Sequence, residues 1–136
     1  MDNLTKEQRR KNMQNIRSKE TTPEKIIFKE LRRRRIYFAR HVKKLPGSPD
    51  IVFRRKRIAV FIDSDFWHGH SKRFTMPKTN ADYWERKIMR NKARDIEVNR
   101  CLKKANWNVI RIWEYDVKKN TLKCINRILK ERKNAH

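Results

Sequence analysis

The sequence predicts a single α/β domain, and three observations predict it. A capped amphipathic helix opens the ordered part of the chain, two apolar runs of strand length lie in its middle, and a second amphipathic helix closes it. The two runs are Ile58-Ala59-Val60-Phe61-Ile62 and Val109-Ile110-Arg111-Ile112-Trp113, and a long polar stretch of helical character separates them. The resulting order is helix, strands, helix, strand, helix, with no internal repeat.

The elements follow in sequence. From Thr5 to about Lys19 the chain is polar and basic with isolated apolar residues, so residues 1–20 read as a basic arm or surface helix, and residues 21–136 as one domain. Thr21-Thr22-Pro23-Glu24 is a helix start: Thr21 caps, Pro23 sits in the first turn and Glu24 takes the third position. Ile27, Phe28 and Leu31 then follow at helical spacing. The basic run Arg32 to Arg35 ends this helix. Ile36-Tyr37-Phe38 is expected to begin a strand, Leu45 to Pro49 to form a turn or loop, and Asp50 to Phe53 to resume as a strand. Arg54 to Arg57 turns the chain back into the Ile58–Ile62 run, which is apolar on both faces as a central strand requires. Thr79-Asn80-Ala81-Asp82 resembles a cap for a helix reaching about Ala105, with Trp84, Ile88 and Met89 in its first turns. Trp107 to Trp113 is a further strand, and Leu122, Ile125 and Leu129 mark the closing helix.

Composition narrows the function. A chain of 136 residues fits one domain, so binding and chemistry share it. Lysine and arginine number 38 against 15 acidic residues, a net charge of +23, which points to a polyanionic partner with nucleic acid foremost. Mean hydropathy is −1.07. A hydrophobic fraction of 37%, gathered into runs, nevertheless favours a folded chain over a disordered one. No apolar stretch is long enough to span a membrane and the first residues lack a signal-peptide core, so a cytoplasmic protein is expected. Cys101 and Cys124 lack any CxxC partner and read as ordinary cysteines.

Chemistry concentrates after the central strand. Phosphodiester hydrolysis needs charge stabilised at phosphorus and an activated water, and nucleases commonly use magnesium on oxygen ligands for both. Asp63 and Asp65 end the apolar strand, while Asp50 starts its hairpin partner. If those strands pair through Arg54–Arg57, Asp50 and the Ile62-Asp63 edge become neighbours. Asp50 after Ser-Pro is equally readable as a turn residue. The run Asp63-Ser64-Asp65-Phe66-Trp67-His68-Gly69-His70, with carboxylates, imidazoles and two large aromatics in one loop, favours a ligand site. His41 and His136 have no such company and receive no role.

At these residues the chain resembles the very short patch repair endonuclease family. The resemblance rests on Leu45 to Phe53, on Val60 to His70, and on Trp84-Glu85-Arg86-Lys87-Ile88 with Asn91 and Arg94-Asp95. Lys11-Asn12-Met13 and Thr22-Pro23-Glu24-Lys25 complete it. It implies a restriction-endonuclease-like α/β fold of the PD-(D/E)XK type, with a mixed central sheet flanked by helices. The implied activity is a magnesium-dependent nick in duplex DNA, 5′ of a thymine mispaired with guanine, that starts mismatch repair. One or two magnesium ions are expected, held by Asp50 and the Ile62 backbone carbonyl, with Asp65 a further candidate. Asp63 and His68 would act at the attacking water or the leaving group, and Glu24 would support His68 or a metal-bound water beside its capping role. His68 can exchange a proton near neutral pH, although a buried structural histidine is the competing reading. Phe66, Trp67 and Trp84 match the family's intercalating wedge, and Lys87 and Asn91, one turn apart, its contacts to the mismatched bases. Trp107 and Trp113 read as core.

The resemblance is incomplete where relatives hold a structural zinc. Asp65 stands where a cysteine is usual, Lys72 where another would fall, and Tyr115 follows Trp113-Glu114, leaving only His70. One histidine cannot make a tetrahedral site, so no structural zinc is expected, and Asp65 would pair with Lys72 or Arg73 instead. A monomer acting on double-stranded DNA, with downstream repair proteins as further partners, is the expected assembly. The alternatives are a sequence-specific nicking enzyme of restriction or homing type on the same fold and a non-catalytic basic DNA-binding module.

Overall fold

The computed structural model describes residues 21–65 and 77–135. The expected arm over residues 1–20 and the segment from Phe66 to Met76 lie outside the described residues. Helix α1, Thr22–Arg33, begins as its capping signature dictates: the Thr21 N–H donates to Glu24 Oε2 at 3.1 Å, and Pro23 occupies the first turn. Ile27, Phe28 and Leu31 form its buried stripe. Its exit is a Schellman turn without glycine. Arg35 takes φ of 59°, its N–H donates to Arg32 O, and the Ile36 N–H donates to Leu31 O, both at 2.9 Å.

That exit displaces the first strand from its expected place. Strand β1 covers Ala39–Arg40 alone, not Ile36 to Phe38. Ile36 completes the helix cap, Tyr37 is 94% exposed, and Phe38 stacks on Phe28 with ring centroids 5.5 Å apart. The ladder starts only where β2, Ile51–Phe53, offers partners, Ala39 opposite Val52 and Arg40 opposite Ile51. Strands β2 and β3, Ile58–Asp63, pair antiparallel through the Arg54–Arg57 turn, with Ile51 opposite Val60. β3 is buried along its whole length, and β4, Asn108–Trp113, lies parallel to it. The four-stranded mixed sheet therefore has the order β1-β2-β3-β4.

A parallel pair needs a crossover, and the 24-residue helix α2, Ala81–Lys104, supplies it. Asn80 precedes α2 in the left-handed region with no side-chain cap bond, so the expected Thr79-Asn80 cap works through backbone shape alone. At the far end a second Schellman turn forms around Asn106, φ 67°, with the Trp107 N–H donating to Leu102 O at 2.9 Å. Arg57 latches this end: Nη2 donates to Ala105 O at 2.6 Å, and the guanidinium lies 5.0 Å from the Trp107 ring centroid.

β4 passes directly into α3, Glu114–Lys119, a short helix not separated in the sequence, and then into α4, Thr121–Asn134. The buried stripe of α4 is Cys124, Ile125 and Ile128. Leu122, expected on that stripe, is 62% exposed because it points roughly 110° around the helix from the centre of the buried face. Leu129 packs at its margin.

Strand alternation sorts the core into two layers. Ile58, Val60 and Ile62 of β3 pack with α1, α3 and α4, while Ala59 and Phe61 pack with Val98 and Leu102 of α2. The sheet is thus covered by helices on both faces. Asp63 follows Phe61 on the α2 side by the same alternation. Gly47 fixes the approach of the 41–50 loop to that layer. It has φ of +75°, and a Cβ there would sit 2.7 Å from Val98 Cγ1 and 3.1 Å from Phe61 Cε1. Gly47→Ala should therefore destabilise the fold by about 1–3 kcal/mol, from overpacking together with left-handed strain. Urea denaturation measures this, and Val98→Ala in the same chain should recover part of the loss.

Candidate active site

The β2–β3 register brings two acidic strand ends to one place. Asp50 stands just before β2, and its Oδ2 accepts the Ile62 N–H at 2.7 Å, extending the hairpin by a side-chain bond. Asp50, Ile62 and Asp63 line a cleft of about 480 Å³ that Arg94, Asp95 and Arg111 help to close. Asp50 and the Ile62-Asp63 edge are thus neighbours, as the pairing through Arg54–Arg57 requires.

Asp50 also faces a second acid and an imidazole. His41 Nδ1 lies 3.5 Å from Asp50 Oδ1, and His41 Nε2 lies 3.7 Å from Glu24 Oε2. One ligand atom from each of Glu24, His41 and Asp50 falls within 4.8 Å of the others, a spacing that can hold a metal ion. The backbone builds this cluster. The His41 N–H donates to Asp50 O and the Val42 N–H to Pro49 O, each at 3.1 Å, closing the 41–50 loop. His41 itself takes φ of 47°, and its ring meets Phe28 edge-on at 5.9 Å. Glu24 and Phe28 are one turn apart on α1, so the same helix face supplies the acid and the surface on which the histidine rests.

Crowding of this kind has an electrostatic consequence. Burial, then the charge of Glu24, push the Asp50 carboxyl from its ordinary 3.8 up to about 8; the Ile62 N–H pulls the other way and Asp63 adds to the rise. Glu24, buried to 6% exposure, makes its cap bond to Thr21 while its carboxylate also lies 3.7 Å from His41; His68, which it was expected to support, lies outside the described residues. Two carboxylates and an imidazole suit a divalent cation, and one placed among them would relieve the repulsion that raises Asp50.

Asp63 is 5% exposed and has a cation of its own. Arg111 Nη1 donates to both of its oxygens, at 2.9 and 3.2 Å, and lies 3.6 Å from Asp95 Oδ1. Asp65 is half-buried, with Oδ1 lacking a hydrogen-bond partner among the described residues, and it is not one of the three metal-spaced ligands. On α2, Trp84 is half-buried and meets Tyr83 edge-on at 4.9 Å, with Lys87 Nζ 5.9 Å from the Trp84 centroid. Lys87 and Asn91 line an open groove with Tyr83, Arg90 and Arg94. Phe66, Trp67, His68 and His70 lie outside the described residues, as do Lys72 and Arg73.

Two residues of the site escape sequence reasoning. Nothing near His41 in sequence marks it; only loop closure sets it beside Asp50. Arg111 did carry a signal, being a lone cation inside the apolar run of β4.

A mixed sheet between helices, with acidic strand ends meeting in a cleft on a strongly basic chain, is the framework of a DNA endonuclease, and comparison with known proteins bears this out. The family model described as DNA mismatch endonuclease Vsr matches residues 1–73. A type II nicking enzyme of Neisseria meningitidis serogroup C, V.NmeDIP, is 40% identical over 130 residues, covering 94% of this chain and 88% of the relative. V.XorIIP, a type II nicking enzyme of Xanthomonas oryzae pv. oryzae, is 42% identical over 117 residues, 85% and 86% of the two chains. DNA mismatch endonuclease Vsr of Escherichia coli is 34% identical over 107 residues, 78% of this chain and 69% of the relative. The chain belongs to the Vsr family of DNA mismatch endonucleases.

The raised Asp50 value sets a pH dependence. Between about 4 and about 8 the folded carboxyl holds a proton that the unfolded one has lost, so stability without metal falls as pH rises through that window and levels off above it. Urea denaturation in chelator should show this decline, and Asp50→Asn should remove its share of the slope. Metal binding must displace the same proton, so affinity for a divalent ion, followed by calorimetry, should rise with pH up to about 8.

Proposed function

We propose that this protein is a magnesium-dependent endonuclease that nicks one strand of duplex DNA at a T:G mismatch, 5′ of the mispaired thymine, on a restriction-endonuclease-like fold of the PD-(D/E)XK type. The observation that carries the reading is the meeting of Asp50 with the Ile62-Asp63 edge, in a chain of the Vsr family. Asp50, with the Ile62 carbonyl, Glu24 and His41 around it, would hold the ion, and Asp65 is a further candidate ligand. Bound there, magnesium supplies Lewis-acid charge at the scissile phosphate. Asp63, with His68, would take or return the proton at the water and the leaving oxygen. The His41 imidazole lies close to both carboxylates, Nδ1 towards Asp50 at 3.5 Å and Nε2 towards Glu24 at 3.7 Å.

Recognition falls to the aromatics and to α2. Phe66, Trp67 and Trp84 are assigned the wedge between base steps, and Lys87 and Asn91 the contacts to the mispaired bases. Support comes from the groove that Lys87 and Asn91 line and from the Trp84 ring at its side. The net charge of +23 adds phosphate contacts that depend little on sequence, so affinity for any duplex should fall steeply with salt.

A second reading has its own support. Several relatives carry the name type II nicking enzyme, which favours sequence-specific nicking on this fold. Assays on matched and T:G duplexes of several sequences separate the two: mismatch nicking predicts cutting confined to T:G, whereas equal cutting of a matched site establishes the sequence-specific enzyme. Asp50→Ala should lower nicking by about two orders of magnitude or more while sparing duplex affinity. Unchanged nicking would remove Asp50 from the site. Trp67→Ala should weaken binding to mismatched DNA more than to matched DNA, and an equal loss on both would indicate packing.

A further inference from the structure

We propose that Arg111 is a positioning residue that holds the Asp63 carboxylate and the middle of α2 in one frame, so that the cutting edge and the recognition helix keep a fixed relation. The proposal deepens the active-site reading above and rests on it. Arg111 stands on β4 opposite Phe61 of β3 in the parallel register, and its guanidinium carbon lies 4.1 Å from the centroid of that ring. Stacked there, the planar group has little freedom. One edge serves β3: Nη1 bonds both oxygens of Asp63. The same group serves α2, since Nε donates to Asn99 Oδ1 at 2.8 Å and Nη1 reaches Asp95 at 3.6 Å. Arg127 of α4 completes the clamp, its Nη1 donating to the Arg111 carbonyl at 2.8 Å.

The α2 contacts fall on a stripe with a second use. Lys87, Asn91, Asp95 and Asn99 succeed one another at four-residue steps, a row of adjacent residues that winds gradually around the helix. The upper pair lines the open groove, and the lower pair meets Arg111. A single guanidinium therefore joins the helix that offers the groove to the carboxylate beside Asp50. Both ends of the joint are largely withdrawn from solvent, with Arg111 19% and Asp95 22% exposed.

A carboxylate on a short side chain would otherwise turn about its last bond, and misplacement by about 1 Å costs on the order of a hundredfold in rate. Lysine cannot substitute. Its point charge can neutralise Asp63 but cannot also stack on Phe61 and bond Asn99. A merely structural ion pair in the same place would affect how much protein is folded, not how fast a folded molecule cuts.

Single-turnover nicking with enzyme in excess over a cleavable duplex distinguishes these roles. Arg111→Lys should lower the rate constant by roughly tenfold to a hundredfold with full amplitude and unchanged duplex affinity. Asn99→Ala, which loosens only one anchor of the guanidinium, should lower the same constant by less and serves if Arg111→Lys does not fold. A wild-type rate constant with reduced amplitude in the folded variants would overturn the proposal and leave a core ion pair. Asp63→Asn is the reference. If it nicks at the wild-type rate, the active-site reading fails and takes this inference with it. If it is inactive while Arg111→Lys and Asn99→Ala cut normally, only the inference fails.

Discussion

The site depends on one hydrogen bond, from the Ile62 N–H to Asp50 Oδ2. β2 has three residues, too few to carry pairing as far as the end of β3. The Asp50 side chain takes over where the β2 backbone leaves off and satisfies a strand donor that burial would otherwise orphan. A carboxylate used in this way is locked in orientation. It is also forced into partial burial beside Glu24 and Asp63, and the raised proton affinity of Asp50 follows from that placement. Structure and chemistry at this edge are the same interaction.

Charge is distributed around that edge in two ways. The chain has few acids for its bases, 15 against 38, yet Glu24, Asp50, Asp63 and Asp95 are gathered around one cleft and its rim. The Asp63 and Asp95 side contains a built-in cation in Arg111, stacked and held from several directions. On the Glu24 and Asp50 side, the cluster with metal spacing has the His41 imidazole between its two carboxylates. A fixed guanidinium suits a carboxylate that must keep its place. Paired carboxylates with an imidazole suit an exchangeable divalent ion. The net charge of +23 leaves a large positive excess beyond these pairs, a charge suited to phosphates.

The backbone achieves this with only 2 glycines. Arg35, His41, Ser48, Arg57, Asn80 and Asn106 all adopt positive φ, a conformation that usually favours glycine. They occur at the helix ends and loops that aim the site: Arg35 ends α1, His41 opens the loop to Asp50, and Asn106 ends α2. Strain at such positions persists when surrounding bonds over-determine the chain. The paired carbonyl and amide bonds at both Schellman turns and across the 41–50 loop supply that determination.

Much of the fold was legible because its signals are local. The Thr21–Glu24 cap, the apolar stripe of α1 and the doubly buried β3 each follow from residue spacing within a few positions, and so does the hairpin that joins Asp50 to Ile62. The misplacements came where a neighbour distant in sequence decides. Ile36 to Phe38 have strand-like side chains but are taken by the helix exit and the Phe28 ring, and Leu122 has the right residue type on the wrong side of α4. Sequence by itself determined the α/β class, the polyanionic partner and the candidate acids, because composition, period and capping are properties of adjacent residues. Tertiary structure alone decided that His41 joins Glu24 and Asp50, and that Arg111 binds Asp63 to α2. Each needs groups brought together from separate elements, and only loop closure and the parallel β3–β4 register supply that proximity.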